Sequence, residues 1–282
     1  MNINKFRDWL ITSDRNSLVM GVLNVTPDSF SDGGKYVDID MAVSHVKYME
    51  ENGADIVDIG GESTRPGAYP VSIKEEIDRT IPVIKQIRKY SDITISIDTY
   101  KSEVARKAIV AGADIVNDIS GMTFDQKMMK TVKYFDTPII LMHIKGTPLN
   151  MQNNPTYTDV VKEIIIYFSD KIQKAIDFGI KKEHIILDPG IGFGKRYEDN
   201  FILLQRLNEF SKMGFPILIG PSNKSFIGLT LDLPINERLE GTLASVTAGI
   251  INGASIVRVH DVKEVKRATI VTDKIVGKME KV

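Results

Sequence analysis

The chain contains no cysteine, and this absence excludes several kinds of functional site at once. Disulfide bonds, thiolate nucleophiles and cysteine-ligated zinc or iron–sulfur centres all require a cysteine thiol, which none of these 282 residues offers. The sequence therefore excludes these kinds of site.

The sequence also lacks an excess of charge of either sign. Its 36 basic and 37 acidic side chains leave a formal net charge of -1 at pH 7, whereas proteins that bind nucleic acids or membrane surfaces usually carry a basic excess or patch. No apolar run approaches the roughly 18 residues of a membrane span. Residues 1–17 carry charges where a signal peptide needs its apolar core. We therefore expect a cytoplasmic protein that binds neither nucleic acid nor membrane.

Three familiar catalytic signatures are missing as well. The sequence contains no GxSxG nucleophile elbow, no HExxH zinc motif and no GxxxxGK[ST] phosphate loop. The segment GIGFGK, residues 190–195, resembles a nucleotide-binding fingerprint only superficially, because it lacks the GxGxxG spacing.

What the sequence does contain is a repeated alternation of short β-rich runs and longer amphipathic stretches. Eight such runs occupy residues 17–25, 55–61, 93–99, 114–120, 138–143, 184–190, 216–222 and 255–261. One helical pattern between them, residues 157–179, keeps apolar residues at three- and four-residue spacing and closes on Gly179. Strand–helix units repeated in this way favour parallel pairing with right-handed crossovers. The sequence therefore predicts an α/β fold, a (β/α)8 TIM barrel.

Three similar segments support one continuous barrel. NGADIVD (52–58), AGADIVND (111–118) and NGASIVRV (253–259) share a helix-ending glycine, a small residue and a buried strand. The chain has no Pro-, Gly- or Ser-rich linker that would divide it. We therefore predict a single domain over residues 1–282, in which residues 1–16 pack at the periphery.

Most predicted strands end in a polar side chain. These residues are Asn24, Asp58, Asp98, Asn117, His143, Asp188, Ser222 with Lys224, and Arg258 with His260. A single strand-end aspartate usually serves as a helix cap or turn former, and a lone strand-end histidine such as His143 is more often structural than a metal ligand. In a parallel barrel, however, these ends share one face, where active sites are built. The pattern predicts an active site at the C-terminal ends of the strands.

Two groups of these residues indicate a ligand type. Asp98, Asn117 and Asp188 together could complement a polar ring that carries donors and acceptors, such as a pteridine or a purine. In DPGIGFG (188–194), Asp188 is followed by Phe193, a pairing that suits a flat heterocycle, although the glycines there could equally serve backbone geometry alone.

The second group suits an anion. Arg258, His260 and Asn24 combine anion-binding groups with a neutral oxygen ligand, which fits a pyrophosphate with Mg²⁺. The loop GGESTRPG (60–67) adds two hydroxyls and an arginine directly after the second predicted strand. That is more chemistry than a connecting turn requires.

Eight motifs together resemble the dihydropteroate synthase family over about residues 18–266. They are MGVLNVTPDSFSDGG (20–34), DIGGESTRPGA (58–68), SIDTYKSEVA (96–105), VNDISG (116–121), LMHIKGTPLNMQNNPTY (141–157), LDPGIGFGK (187–195), SNKSFIG (222–228) and VRVHDV (257–262). The resemblance implies a barrel enzyme, usually dimeric, that joins 6-hydroxymethyl-7,8-dihydropterin pyrophosphate to p-aminobenzoate. It further implies release of pyrophosphate, use of Mg²⁺, a role in folate biosynthesis and competition by sulfonamides.

The resemblance also implies roles for individual residues. It places the pterin on Asp98, Asn117, Asp188, Lys224 and Phe193, and the pyrophosphate on Asn24, Arg258 and His260, with Asn24 as the Mg²⁺ ligand. It places p-aminobenzoate among Thr64, Arg65, Pro66, Ser222, Phe193 and Phe30. The residues that act in catalysis would be Lys224, Arg258, Asp98, Thr64 and Arg65.

One position departs from the family pattern. The family normally has Ser-Arg-Lys after the seventh strand, whereas this chain has Ser222-Asn223-Lys224, preceded by Pro221. The departure removes a cation and puts catalytic efficiency in question. It makes a non-catalytic pterin-binding protein possible. A second alternative is a pterin-binding methyltransferase with a corrinoid partner, which has no evident use for the STRPG or SNKS segments. The complete first and second loop motifs argue against both.

Overall fold

A computed structural model describes residues 1–26 and 35–278. Its strands are β1 (Leu18–Asn24), β2 (Ile56–Gly60), β3 (Thr94–Asp98), β4 (Ile115–Asp118), β5 (Ile139–Met142), β6 (Ile185–Asp188), β7 (Leu218–Ile219) and β8 (Ile256–Val259). The α-helices of the described part are α1 (Ile3–Ile11), α2 (Lys35–Glu51), α3 (Ile73–Ile87), α4 (Ser102–Ala111), α5 (Met128–Phe135), α6 (Val160–Phe178), α7 (Tyr197–Gln205), α8 (Asn208–Ser211), α9 (Ser225–Leu231), α10 (Leu239–Ile251) and α11 (Val262–Ile275).

The eight strands form one parallel sheet in the order β6-β5-β4-β3-β2-β1-β8-β7. The end strands of this order also meet, because Leu187 of β6 forms a parallel bridge with Ile217, next to β7. The Leu187 amide donates a hydrogen bond of 3.0 Å to the Pro216 carbonyl at the same place. The sheet thus closes on itself, and the predicted (β/α)8 barrel is confirmed.

The strand side chains alternate between two cores, as the two-residue period of a strand requires. Within β1, Leu18 and Met20 point into the barrel, whereas Val19 and Leu23 belong to the core between the sheet and the surrounding helices. Because both faces of each strand are covered, the strands read as nearly continuous Ile/Val/Leu runs.

Helix α1 packs against one end of the barrel through a buried face. Its Phe6, Trp9 and Leu10 are buried, and they cluster with the inward-facing first residues of the strands. The Trp9 indole donates a hydrogen bond of 2.8 Å to the Asn16 carbonyl. The helix therefore seals the amino-terminal mouth of the barrel. Its charged residues Lys5, Arg7 and Asp8 lie on the exposed face.

The glycines predicted to end helices do so. Gly53, Gly112, Gly179 and Gly253 have φ values of 94°, 118°, 98° and 105°, a left-handed conformation that costs other residues free energy. Each reversal directs the chain from a helix toward the next strand.

In the described ranges, no helix combines the length and apolarity needed to cross a membrane.

Candidate active site

The strand register places the polar strand ends side by side. Asn24 pairs with Gly60, Gly60 with Asp98 and Asp98 with Asn117, so the four residues form one row across β1 to β4. Because Gly60 has no side chain, the space between Asn24 and Asp98 is unfilled. A Cβ there would lie 3.5 Å from the Asp98 Cβ and 3.7 Å from the Asn24 Oδ1. On the other side of the barrel, Asp188 pairs with Met142.

A pocket opens at this rim of the barrel. Its walls combine residues that the sequence predicted with residues that it did not. They are Thr64, Asp98, Asn117, Ile119, Met142, Asp188, Ile191, Phe193, Gly220, Lys224 and Arg258. Seven of the predicted site residues therefore meet in one pocket, although they come from six different strand ends or loops.

Arg258 lies at the centre of a buried polar network. Its Nε donates a hydrogen bond of 2.6 Å to Asp58 Oδ2, and its Nη2 donates one of 2.9 Å to Asp98 Oδ2. The Asn117 Nδ2 donates to the same Asp58 oxygen at 3.0 Å. Two carboxylates thus hold the guanidinium in one orientation, with Nη1 outside both contacts.

Asp98 shares that single cation with a second carboxylate. Burial and, to a smaller extent, the nearby Asp58 carboxylate raise the pKa of Asp98, to about 8, although Arg258 opposes the rise. Asp98 is therefore able to carry a proton near neutral pH, which would let it donate as well as accept.

Asn117 and Asp188 present hydrogen-bond acceptors to the pocket. Since the Asn117 Nδ2 is bound to Asp58, its Oδ1 is left buried without a hydrogen-bond partner among the described residues. One Asp188 oxygen accepts a hydrogen bond of 2.8 Å from the Gly190 amide. Burial raises the pKa of Asp188 to about 6, opposed by that hydrogen bond and by Lys224. A buried acceptor without a partner favours a ligand that brings a donor.

Lys224 completes this side of the pocket. Its Nζ donates a hydrogen bond of 2.6 Å to the Ile191 carbonyl and lies 3.9 Å from the centroid of the Phe193 ring. Burial lowers the pKa of Lys224 to about 7, and Asp188 opposes the shift. The site therefore holds a cation against an aromatic face, an arrangement that is stronger away from water.

The turn before Lys224 contains the position that departs from the family pattern. Asn223 has φ 58°, in the left-handed region that Asn tolerates better than most residues. Its amide donates to Thr242 Oγ1 at 3.2 Å, and its carbonyl accepts from Arg238 Nη1 at 3.0 Å. The Asn223 backbone thus fixes the turn that directs Lys224 into the pocket.

Ser222 and His260 lie together beside the pocket. The Ser222 hydroxyl and the His260 Nδ1 are 2.9 Å apart, and the His260 amide donates to the same hydroxyl at 3.2 Å. The structure therefore brings Ser222 next to a predicted pyrophosphate residue, and its hydroxyl is already hydrogen-bonded. Neither residue is among those that line the pocket.

The GGESTRPG loop is anchored at its base and exposed at its tip. Glu62 is buried and accepts hydrogen bonds from the Val71 amide at 2.9 Å and from the Tyr100 hydroxyl at 2.8 Å. Thr64 lines the pocket, whereas Arg65 and Pro66 are exposed. The base of the loop is therefore fixed by hydrogen bonds, and Thr64, Arg65 and Pro66 follow that fixed base. Phe30, predicted to join them, lies outside the described residues.

Sequence reasoning missed the apolar walls and one acid. Ile119, Met142 and Ile191 line the pocket as ordinary hydrophobic residues, and their types carry no functional signal. Asp58 was noted only as a polar strand end, yet it is completely buried against Arg258 and Asn117. Its position inside the strand run DIVDIGG, with apolar residues on both sides, was the signal of a buried acid that needs a cation.

Comparison with known proteins agrees with this geometry. Residues 20–260 match the family model described as pterin binding enzyme. A dihydropteroate synthase of Synechocystis sp. is 51% identical over 94% of this chain and 91% of its own length. The dihydropteroate synthase of Clostridium difficile, solved in the presence of pteroic acid, superposes with a TM-score of 0.88 at 46% identity over 93% of this chain and 97% of that one. The Yersinia pestis dihydropteroate synthase, solved with a sulfonamide drug complex, gives a TM-score of 0.88 at 40% identity over 94% of this chain and 96% of that one. The chain therefore belongs to the pterin-binding enzyme family and, within it, to the dihydropteroate synthases.

Proposed function

We propose that this pocket joins 6-hydroxymethyl-7,8-dihydropterin pyrophosphate to p-aminobenzoate, as the dihydropteroate synthase step of folate biosynthesis. The bond between the pterin methylene carbon and the pyrophosphate oxygen breaks, and a bond from that carbon to the aniline nitrogen forms. The nitrogen gives up one proton, and pyrophosphate leaves with the electron pair of the broken bond.

The pterin would lie in the described pocket. The Asn117 Oδ1 and the Asp188 carboxylate would accept hydrogen bonds from ring N–H groups, and Asp98 would meet the opposite edge. Ile119, Met142 and Ile191 supply apolar surface for the ring. Such pockets pair a mostly apolar lining with a few placed polar groups. Lys224, between Phe193 and Asp188, would bind a ring acceptor.

Pyrophosphate would lie at the outer rim, near Arg258, His260 and Asn24. The described residues contain no group of three or more His, Asp or Glu side chains arranged to hold a metal, so a metal here would rely mainly on other oxygens. Asn24 offers one neutral oxygen beside the Asp98 carboxylate, which fits Mg²⁺, since this ion usually keeps several waters and substrate phosphate oxygens as ligands. When bound, Mg²⁺ would neutralise charge on the leaving group.

p-Aminobenzoate would occupy the space between the pocket and the GGESTRPG loop. Thr64, Arg65 and Pro66 would surround it from the loop, Phe193 from the β6–α7 turn and Ser222 from the end of β7, with Phe30 from the undescribed segment. Because an aniline is a weak nucleophile, the contribution of these residues is to position it and exclude water. No covalent catalyst is needed when both fragments of the broken bond, the pterin methylene and the pyrophosphate, are stabilised.

The observation that carries this proposal is the unpaired Asn117 Oδ1 in the same buried pocket as the Asp188 carboxylate. The test is product analysis by mass spectrometry with dihydropterin pyrophosphate, p-aminobenzoate and Mg²⁺, repeated with a chelator and without p-aminobenzoate. Dihydropteroate and pyrophosphate in equal amounts support the proposal. Pterin binding without product would instead identify a non-catalytic pterin-binding protein.

Arg65 is expected to act on the second substrate and to contribute little to the fold. Because Arg65 is exposed and the loop base is held by Glu62, Arg65→Ala should change the free energy of unfolding by less than about 0.5 kcal/mol. The KM for p-aminobenzoate should rise and turnover should fall, while pterin affinity stays the same. Arg106→Ala, which removes another exposed arginine, on α4, is the control. Normal turnover of Arg65→Ala would contradict the role.

We further propose a homodimer formed through helices α10 and α11. Ile251, Ile270, Val271 and Ile275 are 54%, 52%, 59% and 70% exposed on these two packed helices, and exposed apolar side chains that lie together can mark a protein–protein contact. Sedimentation should give twice the chain mass of 31.5 kDa. Val271→Lys should yield monomers, whereas Ile166→Lys on α6 should not.

A cytoplasmic location stays a prediction.

A further inference from the structure

The turn after β6 has an unusual set of contacts. Its five consecutive backbone carbonyls, residues 190–194, each accept a hydrogen bond from a side chain. Lys195 donates to Gly190 and Phe193, Lys224 to Ile191, Gln152 to Gly192 and Tyr157 to Gly194. Ordinary surface loops leave many such carbonyls to water. A turn held at every carbonyl is a fixed wall, and this one carries Ile191 and Phe193 into the pocket.

Lys195 makes the largest share of these contacts. Its Nζ lies 3.0 Å from the Gly190 carbonyl, 2.8 Å from the Phe193 carbonyl, 3.4 Å from the His143 carbonyl and 3.0 Å from the His143 Nδ1. The residue is only 3% exposed, and none of these four acceptors is a carboxylate. Removing an ammonium group from water is costly, so this placement requires a compensating benefit.

One benefit is that the ammonium group offsets the repulsion between crowded backbone carbonyls. A Cβ at Gly190 would lie 2.0 Å from the His143 carbonyl oxygen, and a Cβ at Gly194 would lie 2.4 Å from the Lys145 carbonyl oxygen. The turn therefore packs directly on the backbone that follows β5. Three carbonyl dipoles converge where the segments meet, and they would repel one another without a cation between them.

The charge of Lys195 supplies a second benefit. The cations that act on Asp188 are Lys224, Lys195 and Arg258. Lys195 itself faces Asp188 and Asp199 as acids, Lys224 and Lys145 as cations, and the His143 ring. Burial lowers the pKa of Lys195 to about 7, so the group is still charged at the lower pH at which Asp188, with a pKa of about 6, gains a proton.

We propose that Lys195 is a positioning residue of the pterin site, which fixes the turn from Asp188 to Phe193 and stabilises Asp188 as a carboxylate. This inference rests on the proposed pterin site and adds to it a residue that lies behind the wall and does not touch the substrate. Lys195 acts through Asp188, whose carboxylate accepts the ring N–H groups, and through Phe193, whose ring faces the ligand.

The experiment measures calorimetric binding of 6-hydroxymethylpterin to the full chain between pH 5 and pH 7.5. Wild type should lose affinity as the pH falls through about 6, because a protonated Asp188 no longer accepts two hydrogen bonds. In Lys195→Gln, affinity at pH 7 should fall about tenfold and the midpoint of this loss should rise by about one pH unit, since a neighbouring cation is gone.

Two further variants separate charge from loop support. Tyr157→Phe removes the contact to the Gly194 carbonyl without changing charge, and it should lower affinity less than about threefold, the effect of one neutral hydrogen bond, with an unchanged midpoint. Lys195→Arg keeps the charge but does not fit the convergence of carbonyls, so it should bind more weakly with the wild-type midpoint.

The outcomes distinguish this inference from the proposed function. Wild type that binds no pterin would overturn the proposed function. Wild type that binds, together with a folded Lys195→Gln of unchanged midpoint, would overturn only the role of Lys195. If Lys195→Gln does not fold, Lys195→Arg decides: weaker binding at the wild-type midpoint supports the role, and wild-type affinity or a shifted midpoint contradicts it.

Discussion

Arg258→Met should lower the free energy of unfolding by about 3–5 kcal/mol, the loss measured when one partner of a buried ion pair is removed. The reason is that Arg258 is hydrogen-bonded to both Asp58, which is fully buried, and Asp98, which is 9% exposed. Without the guanidinium, two neighbouring carboxylates face each other away from water. Urea unfolding at pH 8 measures the loss, and synthase activity should disappear with it.

The pH dependence of this loss tests its cause. The pKa of Asp98 already lies at about 8 in the native protein, above the value in an unfolded chain. An acid whose pKa is raised by folding favours the folded state while protonated, and this contribution is lost as the pH rises through the folded pKa. Because Arg258 opposes the rise, its removal should raise the pKa of Asp98 further. The deficit of Arg258→Met should therefore be smaller at pH 5, where Asp98 is protonated in both folded proteins, than at pH 8. Arg258→Lys keeps the positive charge but loses the two-pronged donor geometry of the guanidinium, so its loss of stability should lie between those of wild type and Arg258→Met. A deficit below about 1 kcal/mol, or one that does not change with pH, would show that Arg258 does not compensate the charges of Asp58 and Asp98.

Lys224→Ala should reduce kcat/KM by about two to three orders of magnitude, because the charged hydrogen bond proposed from Lys224 to a pterin ring acceptor contributes about 1.5–3 kcal/mol and the contact that orders the Phe193 ring is lost as well. Lys224 combines the bond to the Ile191 carbonyl with the contact to the Phe193 ring. The loss of stability should be small, since burying the ammonium is itself unfavourable. Steady-state kinetics and thermal unfolding of Lys224→Ala and Lys224→Arg separate the two effects. Near-normal turnover in Lys224→Ala would remove this residue from the catalytic set.

The same kinetic series should include Asn223→Arg, alone and with Lys224→Ala. Restoring the family's cation would favour the developing negative charge. The left-handed φ of 58° at this position opposes the gain, because the conformation costs most residues about 1 kcal/mol or more. We therefore expect a change of only a few-fold in kcat/KM, and no rescue of Lys224→Ala.

The fold could be predicted because local pattern and topology agree. Eight Ile/Val-rich runs separated by helical periodicity leave few alternatives to a parallel barrel, and glycines such as Gly53 and Gly112 marked where each helix ends. The polar strand ends were equally informative, since the register of β1 to β4 aligns Asn24, Asp98 and Asn117. These features depend on neighbours in sequence, so they can be read without coordinates.

Other features depend on contacts that sequence spacing does not show. Ser222 was assigned to p-aminobenzoate, but its pairing with His260 arises from two adjacent strand ends that are 38 residues apart in the chain. Lys195 reads as the charged end of a glycine motif, and only the approach of the β5 and β6 turns reveals its burial. Helix α1 shows its role only when its aromatic face meets the barrel interior.

The turn of residues 190–194 has a consequence for ligand selection. Side chains already restrain all five of its carbonyls, so a pterin-like molecule meets a surface that has lost its conformational entropy during folding. A p-aminobenzoate-like molecule at the proposed loop site would instead contact the exposed Arg65 and Pro66, and the Arg65 side chain would lose rotamer freedom on binding. For equal contact area, compounds directed at the pterin side should therefore bind with a smaller entropic penalty than compounds directed at the loop.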